Sequence, residues 1–404
     1  MEITAPGGDL EKTKYAILYG ADGVYCGYKQ FGLRAAAGNL NKDELQEAIS
    51  FAHSHGSRLY LTLNAYLRNE DFAQLPDFIH WLDGTDIDAV IVSDPGIFST
   101  VREHSSIPIH ISTQANITSL YAAKFWYELG AKRIVPAREL SFKEILAIKE
   151  ALPDLEIECF IHGAMCVAYS GRCLLSAYLN KRSANSGACT QPCRWNWALT
   201  EEQRPGQYFP VDEDQYGSYI LSSKDLCLLD KMPEMVSSGI HAGKIEGRMK
   251  SIYYVAQITR IYKAAKQADP SDTKLWAKLN KELLMVSHRP YWQGFYDFDH
   301  SSAGIVEASQ SPAYTSESQY CGKVIAHQEG MLYFDAFHKI NVGDTIQVIF
   351  PDMANDFSLK LDKIFDDDKQ EVTQTKPNYR YAIETHNMAN MNYEGALIRT
   401  CQNS

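Results

Sequence analysis

Residues 89–136 read AVIVSDPGIFSTVREHSSIPIHISTQANITSLYAAKFWYELGAKRIVP, and this stretch decides the fold class. It contains three short, mainly apolar runs, Ala89–Ser93, Ile109–Thr113 and Arg133–Pro136. Segments of helical length, such as Leu120–Leu129, separate these runs. Short apolar runs that alternate with amphipathic segments are typical of buried parallel strands, each followed by a helix. The stretch therefore predicts consecutive strand–helix units.

The same alternation extends outward, from residue 1 to about residue 268. The amphipathic segment Lys42–His55 follows Asn41, and another follows Ser141; both residue types favour helix N-caps. Eight strand–helix units in a row favour an α/β fold of the TIM-barrel-like (β/α)8 type over an open doubly wound sheet. No G-x-G-x-x-G motif follows the first strand, which disfavours dinucleotide binding. The remaining predicted strands are Glu2–Ala5, Gly23–Gly27, Leu59–Asn64, Ile157–Ile161 and Ala242–Ile245.

Two segments depart from this pattern. The connection after the seventh strand, at about 163–239, is much longer than a usual loop, and long ordered loops tend to be functional. After residue 300, short strand-like runs alternate with turn residues, which predicts a small β-barrel. We therefore predict a barrel domain at 1–300, a linker at 301–318 and a small β-barrel at 319–404. The predicted strands of the last part are Gly322–Ile325, Leu332–Phe337, Thr345–Phe350, Leu359–Ile364, Tyr381–Thr385 and Ala396–Thr400.

Composition narrows the class of protein. The chain has 404 residues, of which 45% are hydrophobic and 22% are charged, as is usual for globular proteins. The net charge of −11 argues against non-specific coating of nucleic acid, although a local basic patch can still bind RNA. We find no basic segment followed by an apolar one at the N-terminus, and no apolar run of roughly 18 residues. We therefore expect a cytoplasmic protein with no membrane anchor.

Polar residues follow several predicted strands, at the end of a barrel where catalytic residues are usually found. Arg138 follows the sixth strand, His162 ends the seventh and Glu246 follows the eighth, so we predict catalytic roles for these three. Each has an ordinary alternative. His162 can be a buried histidine of the barrel, and Glu246 can form an ion pair with Lys244 or Arg248. The corresponding positions after other strands hold Asn64, Tyr66, Asp94, Gln114, Asn116 and Glu139.

The long connection carries four cysteines, Cys166, Cys173, Cys189 and Cys193, in the pattern C-x6-C-x15-C-x3-C. In a reducing compartment, clustered thiols indicate metal binding or catalysis more often than disulfides. Four thiolates suit zinc or a four-iron cluster, and zinc sites usually contain C-x2-C or C-x4-C, so the spacing favours an iron–sulfur cluster. The alternative is buried structural thiols, which the polar, glycine-rich surroundings disfavour. Cys227 is a candidate to replace one of the four ligands.

The segment 158–176, ECFIHGAMCVAYSGRCLLS, resembles the signature of the collagenase-like peptidase family U32. The resemblance covers most of residues 1–268 and implies a TIM-like barrel. The C-terminal part is similar to the family's additional β-barrel, which itself resembles a domain of translation elongation factors. Further similar motifs are SDPG at 93–96, STQAN at 112–116, RE at 138–139, CTQPCRW at 189–195, SKDL at 223–226 and KIEGRMKS at 244–251.

The family name implies proteolysis, but the sequence has no G-x-S-x-G or H-E-x-x-H motif. Other members of the family are iron–sulfur hydroxylases. One branch hydroxylates the wobble uridine of certain tRNAs with oxygen from prephenate, a second hydroxylates ubiquinone precursors without O2, and a related branch hydroxylates a cytidine of ribosomal RNA. The tRNA branch is the most similar, because CRW at 193–195, the segment 201–208 and SKDL at 223–226 resemble it. A collagenase-like peptidase, a ubiquinone-type hydroxylase and a non-catalytic scaffold stay as alternatives.

The resemblance implies a [4Fe-4S] cluster on the four cysteines, tRNA as partner and prephenate as co-substrate. Prephenate carries two carboxylates, so Arg172, Arg248, Lys250 and Arg138 are candidate clamps for it. The alternative for Arg248 and Lys250 is a cap on the eighth strand or a contact with tRNA phosphate. Trp195 is a candidate for stacking on a base. Family members that work in pairs imply a homologous partner subunit, and the sequence does not identify the electron donor.

Overall fold

The computed structural model describes residues 1–29, 38–165, 175–180, 182, 190, 199–200, 208–209, 213–214, 217–218, 224–297, 314–385 and 391–401. The chain divides into two compact units, which are described separately. The first unit contains Met1–Ile17, Ala21–Lys250 and Arg289–Tyr314, and the second contains Leu18–Gly20, Ser251–His288 and Thr315–Ser404. The two units group residues by their packing and not by their order in the sequence. They therefore do not test the predicted domain boundaries, which stay a prediction.

Eight parallel strands of the first unit form a closed barrel, which confirms the predicted TIM-barrel-like fold. Each strand pairs with the next one along the chain, and the eighth, β13, pairs with both β7 and β1, so the sheet has no open edge within this ring. The strands are β1 Glu2–Gly7, β2 Gly23–Gly27, β3 Arg58–Leu63, β4 Ala89–Val92, β5 Ile109–Ile111, β6 Arg133–Ile134, β7 Glu156–Ala164 and β13 Ala242–Ile245. The helices between them are α1 Leu10–Leu18, α2 Lys42–Ser54, α3 Leu75–Asp83, α4 Pro95–His104, α5 Leu120–Glu128 and α6 Phe142–Ala151.

Two of these helices begin at the residues that the sequence predicted. The side chain of Asn41 accepts a hydrogen bond from the backbone N–H of Glu44, and the carboxylate of Glu44 accepts one from the backbone of Asn41. Ser141 and Glu144 form the same reciprocal arrangement at the start of α6. Such a capping box satisfies two of the backbone N–H groups that a helix leaves unpaired at its first turn. Both predicted N-caps are therefore confirmed.

A charged network lies inside the lower, amino-terminal part of the barrel. Glu158 is fully buried, and its carboxylate lies 2.8 Å from the Lys244 ammonium and 3.5 Å from the Arg133 guanidinium. Arg133 also lies 3.1 Å from Glu2 and 2.8 Å from Glu156. Burial raises the pKa of Glu158, but Lys244 and Arg133 lower it further, so the net pKa lies below its usual range. The carboxylate is therefore ionised, and the ion pairs compensate for its burial.

The long connection between β7 and β13 adds one strand to the barrel wall, and a second added strand lies beyond β13 in the chain. Strand β12, Asp225–Cys227, pairs antiparallel with the last residues of β7, and β14, Tyr291–Trp292, pairs parallel with β12. Helix α8, Met232–Ser237, then leads to β13. Within the same connection lie α7 Leu175–Asn180 and the short strands β8 Leu199–Thr200, β9 Tyr208–Phe209, β10 Glu213–Asp214 and β11 Gly217–Ser218. None of the helices in the described ranges is long and apolar enough to cross a membrane.

The second unit contains helices α9 Ile252–Gln267 and α10 Thr273–Leu284 and an eight-stranded antiparallel half-barrel. The strand order is β18-β17-β22-β15-β16-β21-β19-β20, and the concave side buries a core that includes Phe334, Ile346 and Ile398. The strands are β15 Ser318–Gln328, β16 Met331–Ala336, β17 Thr345–Ile349, β18 Phe357–Lys360, β19 Ile364–Asp366, β20 Glu371–Val372, β21 Tyr379–Glu384 and β22 Leu397–Cys401.

One predicted strand of this unit, Leu359–Ile364, is wrong. The structure ends β18 at Lys360 and begins β19 at Ile364. Between them the backbone of Leu361 exchanges hydrogen bonds with Gly343 and Asp344, which lie in the turn before β17. The apolar pattern continues through Leu361 because this residue is buried in the core, although its backbone has left the ladder.

Candidate active site

A polar cavity opens at the carboxyl ends of the barrel strands in the first unit. The segments that follow β5, β6 and β13 line its rim, and side chains of β2, β3, β4 and β7 line its wall. This end of an α/β barrel is where enzymes of this fold assemble their catalytic groups. The polar side chains that line the cavity include Thr62, Asn64, Gln114, Arg138, Lys244, Glu246 and Arg248.

Two residues with a predicted catalytic role, Arg138 and Glu246, meet in this cavity. Nη2 of Arg138 lies 3.3 Å from the Glu246 carboxylate, and Nη1 donates a hydrogen bond of 2.8 Å to the backbone carbonyl of Ala164 at the end of β7. The guanidinium carbon lies 3.8 Å from the centre of the Phe160 ring. The Arg138 side chain is only 9% exposed, so this pairing is more than a surface contact. The guanidinium is fixed in position beside a carboxylate at the cavity wall.

The structure corrects the expected partner of Glu246, which the sequence suggested to be Lys244 or Arg248. Lys244 instead turns into the barrel toward Glu158, and its ammonium lies 3.9 Å from the centre of the Tyr25 ring. Lys244 and Glu246 both line the cavity, but Lys244 lies within β13 and Glu246 lies beyond its carboxyl end, so the two side chains lie at different heights. The Glu246 carboxylate, at the carboxyl end of the barrel, therefore pairs with Arg138, which follows β6.

Arg248, a predicted substrate clamp, is buried at the cavity wall. Its Nη1 donates a hydrogen bond of 3.2 Å to the Thr62 hydroxyl, and its Nη2 donates to the side-chain oxygen of Asn39. Gly27 leaves the space for this guanidinium, because a Cβ there would overlap Nη2. A Cβ at Gly8 would likewise overlap the Arg248 carbonyl. Hydrogen bonds to Thr62 and Asn39 therefore hold the Arg248 guanidinium at the cavity wall.

Lys250, the other described clamp candidate, does not line this cavity. Its ammonium lies 4.5 Å from the centre of the Tyr314 ring. It also contributes to lowering the pKa of Asp225, whose carboxylate lies 2.7 Å from the Arg289 guanidinium. Burial raises the pKa of Asp225, but Arg289 lowers it further, so Asp225 is ionised. This buried pair joins β12 to the segment before β14, and sequence spacing alone gave no signal for it.

His162 is buried on β7 and lies beside the added strands rather than in the cavity wall. Its ring centre lies 5.4 Å from that of Tyr291, and it stands opposite Cys227 in the pairing of β7 with β12. The next residue, Gly163, has a φ of +109° and leaves room for the backbone carbonyl of Glu246. Only glycine adopts this conformation readily, so the position shapes the junction between β7 and β13.

The other predicted site residues lie outside the residues that the structure describes. This applies to Cys166, Cys173, Cys189, Cys193, Arg172 and Trp195. Cys227 is described and half-buried, and it forms no disulfide. Within the described ranges, no group of three or more histidine, cysteine, aspartate or glutamate side chains is arranged to hold a metal ion. The metal ligands and the roles of the individual site residues stay a prediction.

Together these features define an α/β-barrel protein with a charged cavity at the carboxyl end of its strands and an additional antiparallel half-barrel. The family model of peptidase family U32 matches residues 8–304, and that of the peptidase family U32 C-terminal domain matches residues 316–399. The chain belongs to peptidase family U32, as the resemblance of its cysteine segment predicted.

Three relatives illustrate the range of names within this family. The chain is 35% identical to tRNA hydroxylation protein P of Escherichia coli (strain K12), over 89% of this chain and 88% of the relative. It is 39% identical to the 23S rRNA 5-hydroxycytidine C2501 synthase of the same organism, over 65% of this chain and 39% of the relative. It is also 33% identical to a collagenase of Porphyromonas gingivalis (strain ATCC BAA-308 / W83), over 73% of each chain.

Proposed function

We propose that this chain is an RNA-modifying hydroxylase that acts on tRNA. The observation that carries the proposal is the similarity to tRNA hydroxylation protein P, which extends over 88% of that protein and therefore includes both the barrel and the C-terminal part. The rRNA 5-hydroxycytidine synthase adds a second relative named for hydroxylation of an RNA pyrimidine. RNA hydroxylation is the activity that these two names share.

In its finer form, the proposal is that the chain hydroxylates the wobble uridine of tRNA to 5-hydroxyuridine, with prephenate as the oxygen source. A wobble base lies in a single-stranded anticodon loop and can be turned outward at modest cost. In this proposal the cavity at the barrel mouth holds that base, because Gln114 and Glu246 offer both a donor and an acceptor there. The protein acts in the cytoplasm, where tRNA is its partner, with a homologous subunit and an electron donor as further candidates.

A [4Fe-4S] cluster on Cys166, Cys173, Cys189 and Cys193 is part of the same proposal. The fit rests on the described ends of the segment that carries these residues. The carbonyl of Ala164 accepts a hydrogen bond from Arg138, so the chain leaves the barrel beside the cavity two residues before Cys166. Four thiolates are the usual ligands of such a cluster, which would supply redox chemistry to the reaction.

Prephenate, a dicarboxylate, requires cations for binding, and the cavity offers two candidates. The Nε of Arg138 is buried and has no hydrogen-bond partner among the described residues. Arg248 donates hydrogen bonds to Thr62 and Asn39, which fix its guanidinium at the cavity wall. Arginine suits carboxylates because its planar guanidinium can form two parallel hydrogen bonds. In this proposal, these two residues orient the co-substrate beside the target base, and Arg172 and Lys250 stay as further candidates.

Peptidase activity is the second candidate function, because one relative is named a collagenase. The described buried thiols do not support it. Burial raises the pKa of Cys26 to about 12, and that of Cys159 also to about 12, so both are protonated at neutral pH. A protonated thiol is a poor nucleophile. Cleavage of a collagen-like peptide by the metal-free protein, and its loss after cysteine alkylation, would favour the peptidase.

Nucleoside mass spectrometry of tRNA from a deletion strain tests the main proposal. We expect 5-hydroxyuridine derivatives to disappear and to return when the gene is supplied on a plasmid. The same plasmid with Cys166→Ser is expected to fail, and protein purified without oxygen is expected to absorb near 400 nm through its cluster. Unchanged 5-hydroxyuridine in the deletion strain, with no second copy of the gene present, would refute tRNA hydroxylation by this chain.

A further inference from the structure

Gln114 lies in the turn after β5, and its backbone is fixed from two sides. Its carbonyl oxygen accepts a hydrogen bond of 2.8 Å from the Tyr66 hydroxyl and another of 2.8 Å from the side-chain amide of Asn116. Asn116 has a φ of +55°, which closes the turn and returns its side chain to Gln114. The Gln114 side chain lines the cavity at the barrel mouth. It therefore projects from a rigid support.

The neighbours of Gln114 determine which way its side-chain amide points. The side-chain amide of Asn64 donates to Oε1 over 3.1 Å, and the hydroxyls of Ser93 and Ser112 donate to the same oxygen. A carbonyl oxygen has two lone pairs, so three donors saturate its accepting capacity. A flip of the amide would bring the NH2 group against the NH2 of Asn64. The hydrogen-bond network thus places Oε1 of Gln114 against the barrel wall and directs Nε2 away from that wall.

The nitrogen of this amide is the part of Gln114 that is left for a ligand. Among the described residues, Nε2 has no hydrogen-bond partner, and it belongs to a half-buried residue that lines the cavity. Another group of the same cavity is an acceptor, the Glu246 carboxylate. The cavity thus offers both a donor and an acceptor to a base.

Uracil and cytosine differ in what they require from such a set. The pairing edge of uracil presents two carbonyl acceptors on either side of an N–H donor, whereas cytosine presents an amino donor at position 4 and an acceptor at position 3. Enzymes that modify an exposed base read it through hydrogen bonds to this edge. We infer that Gln114 is a specificity-determining residue, whose amide nitrogen donates to the carbonyl at position 4 of the target uridine and excludes cytidine, which has an amino donor there. This inference rests on the proposed function.

Two anticodon stem–loops that differ only in uridine or cytidine at the wobble position test the inference. The full-length protein is titrated against each labelled RNA by fluorescence anisotropy, and hydroxylation is followed by mass spectrometry. We expect the uridine loop to bind more tightly, by roughly tenfold to a hundredfold, as is usual for a well-placed base contact. Gln114→Glu replaces the donor by an acceptor, so the preference should fall by a similar factor. The control is Gln74→Glu, which makes the same change on the exposed surface and should leave the preference unaltered.

The outcomes separate this inference from the function on which it rests. If the wild-type protein hydroxylates the uridine loop but Gln114→Glu keeps the same preference, Gln114 does not read the base and the hydroxylase proposal stands. If neither RNA is bound or hydroxylated, the proposed function fails and the inference fails with it. Gln114→Met, which removes the donors without adding charge, gives the same test if the glutamate variant does not fold. A raised KM for prephenate with an unchanged uridine preference would overturn base reading in favour of co-substrate binding.

Discussion

Glu282 of α10 is the centre of a buried ion cluster in the second unit, and its replacement gives a sharp test of what holds this unit together. The carboxylate accepts two hydrogen bonds from Arg399 of β22, at 2.8 and 2.9 Å, and one of 3.1 Å from Arg260 of α9. Its side chain is 11% exposed. Burial raises the pKa of Glu282, but Arg399 and then Arg260 lower it further, to about 2.

The lowered pKa can be converted into a contribution to stability. A shift from 4.5 to about 2 corresponds to about 3 kcal/mol at 1.36 kcal/mol per pKa unit. The folded state binds the proton more weakly than the unfolded state does, so this contribution is complete above pH 4.5 and is lost as the pH falls toward 2. By pH 3.5, about 1 kcal/mol of it should be gone.

Glu282→Gln is therefore expected to destabilise the second unit by about 3–5 kcal/mol at pH 7, because it leaves Arg260 and Arg399 buried without their shared carboxylate. Hydrogen exchange of residues 331–349, measured by mass spectrometry on the full-length protein in urea, reports the local free energy of unfolding. The variant should also lack the loss of about 1 kcal/mol between pH 6 and pH 3.5 that Glu282 causes in the wild type.

The matched control is Glu371→Gln, a change of the same kind in a surface ion pair with Lys363 of the same unit. Exposed ion pairs contribute little to stability, so its effect should be much smaller than that of Glu282→Gln. Equal urea midpoints for the two variants, or identical acid sensitivity of wild type and Glu282→Gln, would refute the assignment of this cluster as a main stabilising contact.

Three further changes test the barrel and its site. Gly27→Ala places a Cβ against the Arg248 guanidinium, so we expect RNA hydroxylation at least about tenfold slower, whereas Gly84→Ala, which meets only an ordinary contact, should act like the wild type. Cys227→Ser should retain its iron when iron per chain is measured, because the four signature cysteines are the proposed ligands; loss of iron would make Cys227 a ligand instead. Glu158→Gln should lower the unfolding free energy of the barrel by about 3–5 kcal/mol in a urea titration, and an unchanged midpoint would show that the network beneath the cavity contributes little.

Much of the barrel could be predicted from the sequence because its strands are buried on both faces. The predicted strands Gly23–Gly27 and Ala242–Ile245 agree with the structure at both ends. The seventh strand is longer than predicted, Glu156–Ala164 instead of Ile157–Ile161, because its last residues pair with β12. Pairing with a strand that is more than 60 residues away in sequence leaves no local pattern, so hydrophobic periodicity could not find it.

The candidate site shows a similar limit. The polar residues after the strands were visible in the sequence because all eight carboxyl ends share one face of a barrel. The pairing of these residues could not be predicted, because it depends on how far along the barrel axis each side chain lies as well as on the end of the barrel that it shares. Arg138 and Glu246 are 108 residues apart, and their contact follows from the level at which each leaves its strand. Asn39 gave no signal as the anchor of Arg248, since the two are joined only by the closure of the barrel.

The charges of the cavity bear on how an acidic chain would hold the proposed anionic co-substrate. The chain carries a net charge of −11, yet the charged side chains that line the cavity are Arg138, Lys244, Arg248 and Glu246. Three of these four side chains are basic, and Glu158 lies beneath Lys244 while Glu246 lies beside Arg138. A fixed charge in a partly buried cavity attracts an anion more strongly than the same charge does at the surface. Overall acidity is thus compatible with a cationic site, because most of the charged side chains that line the cavity are basic.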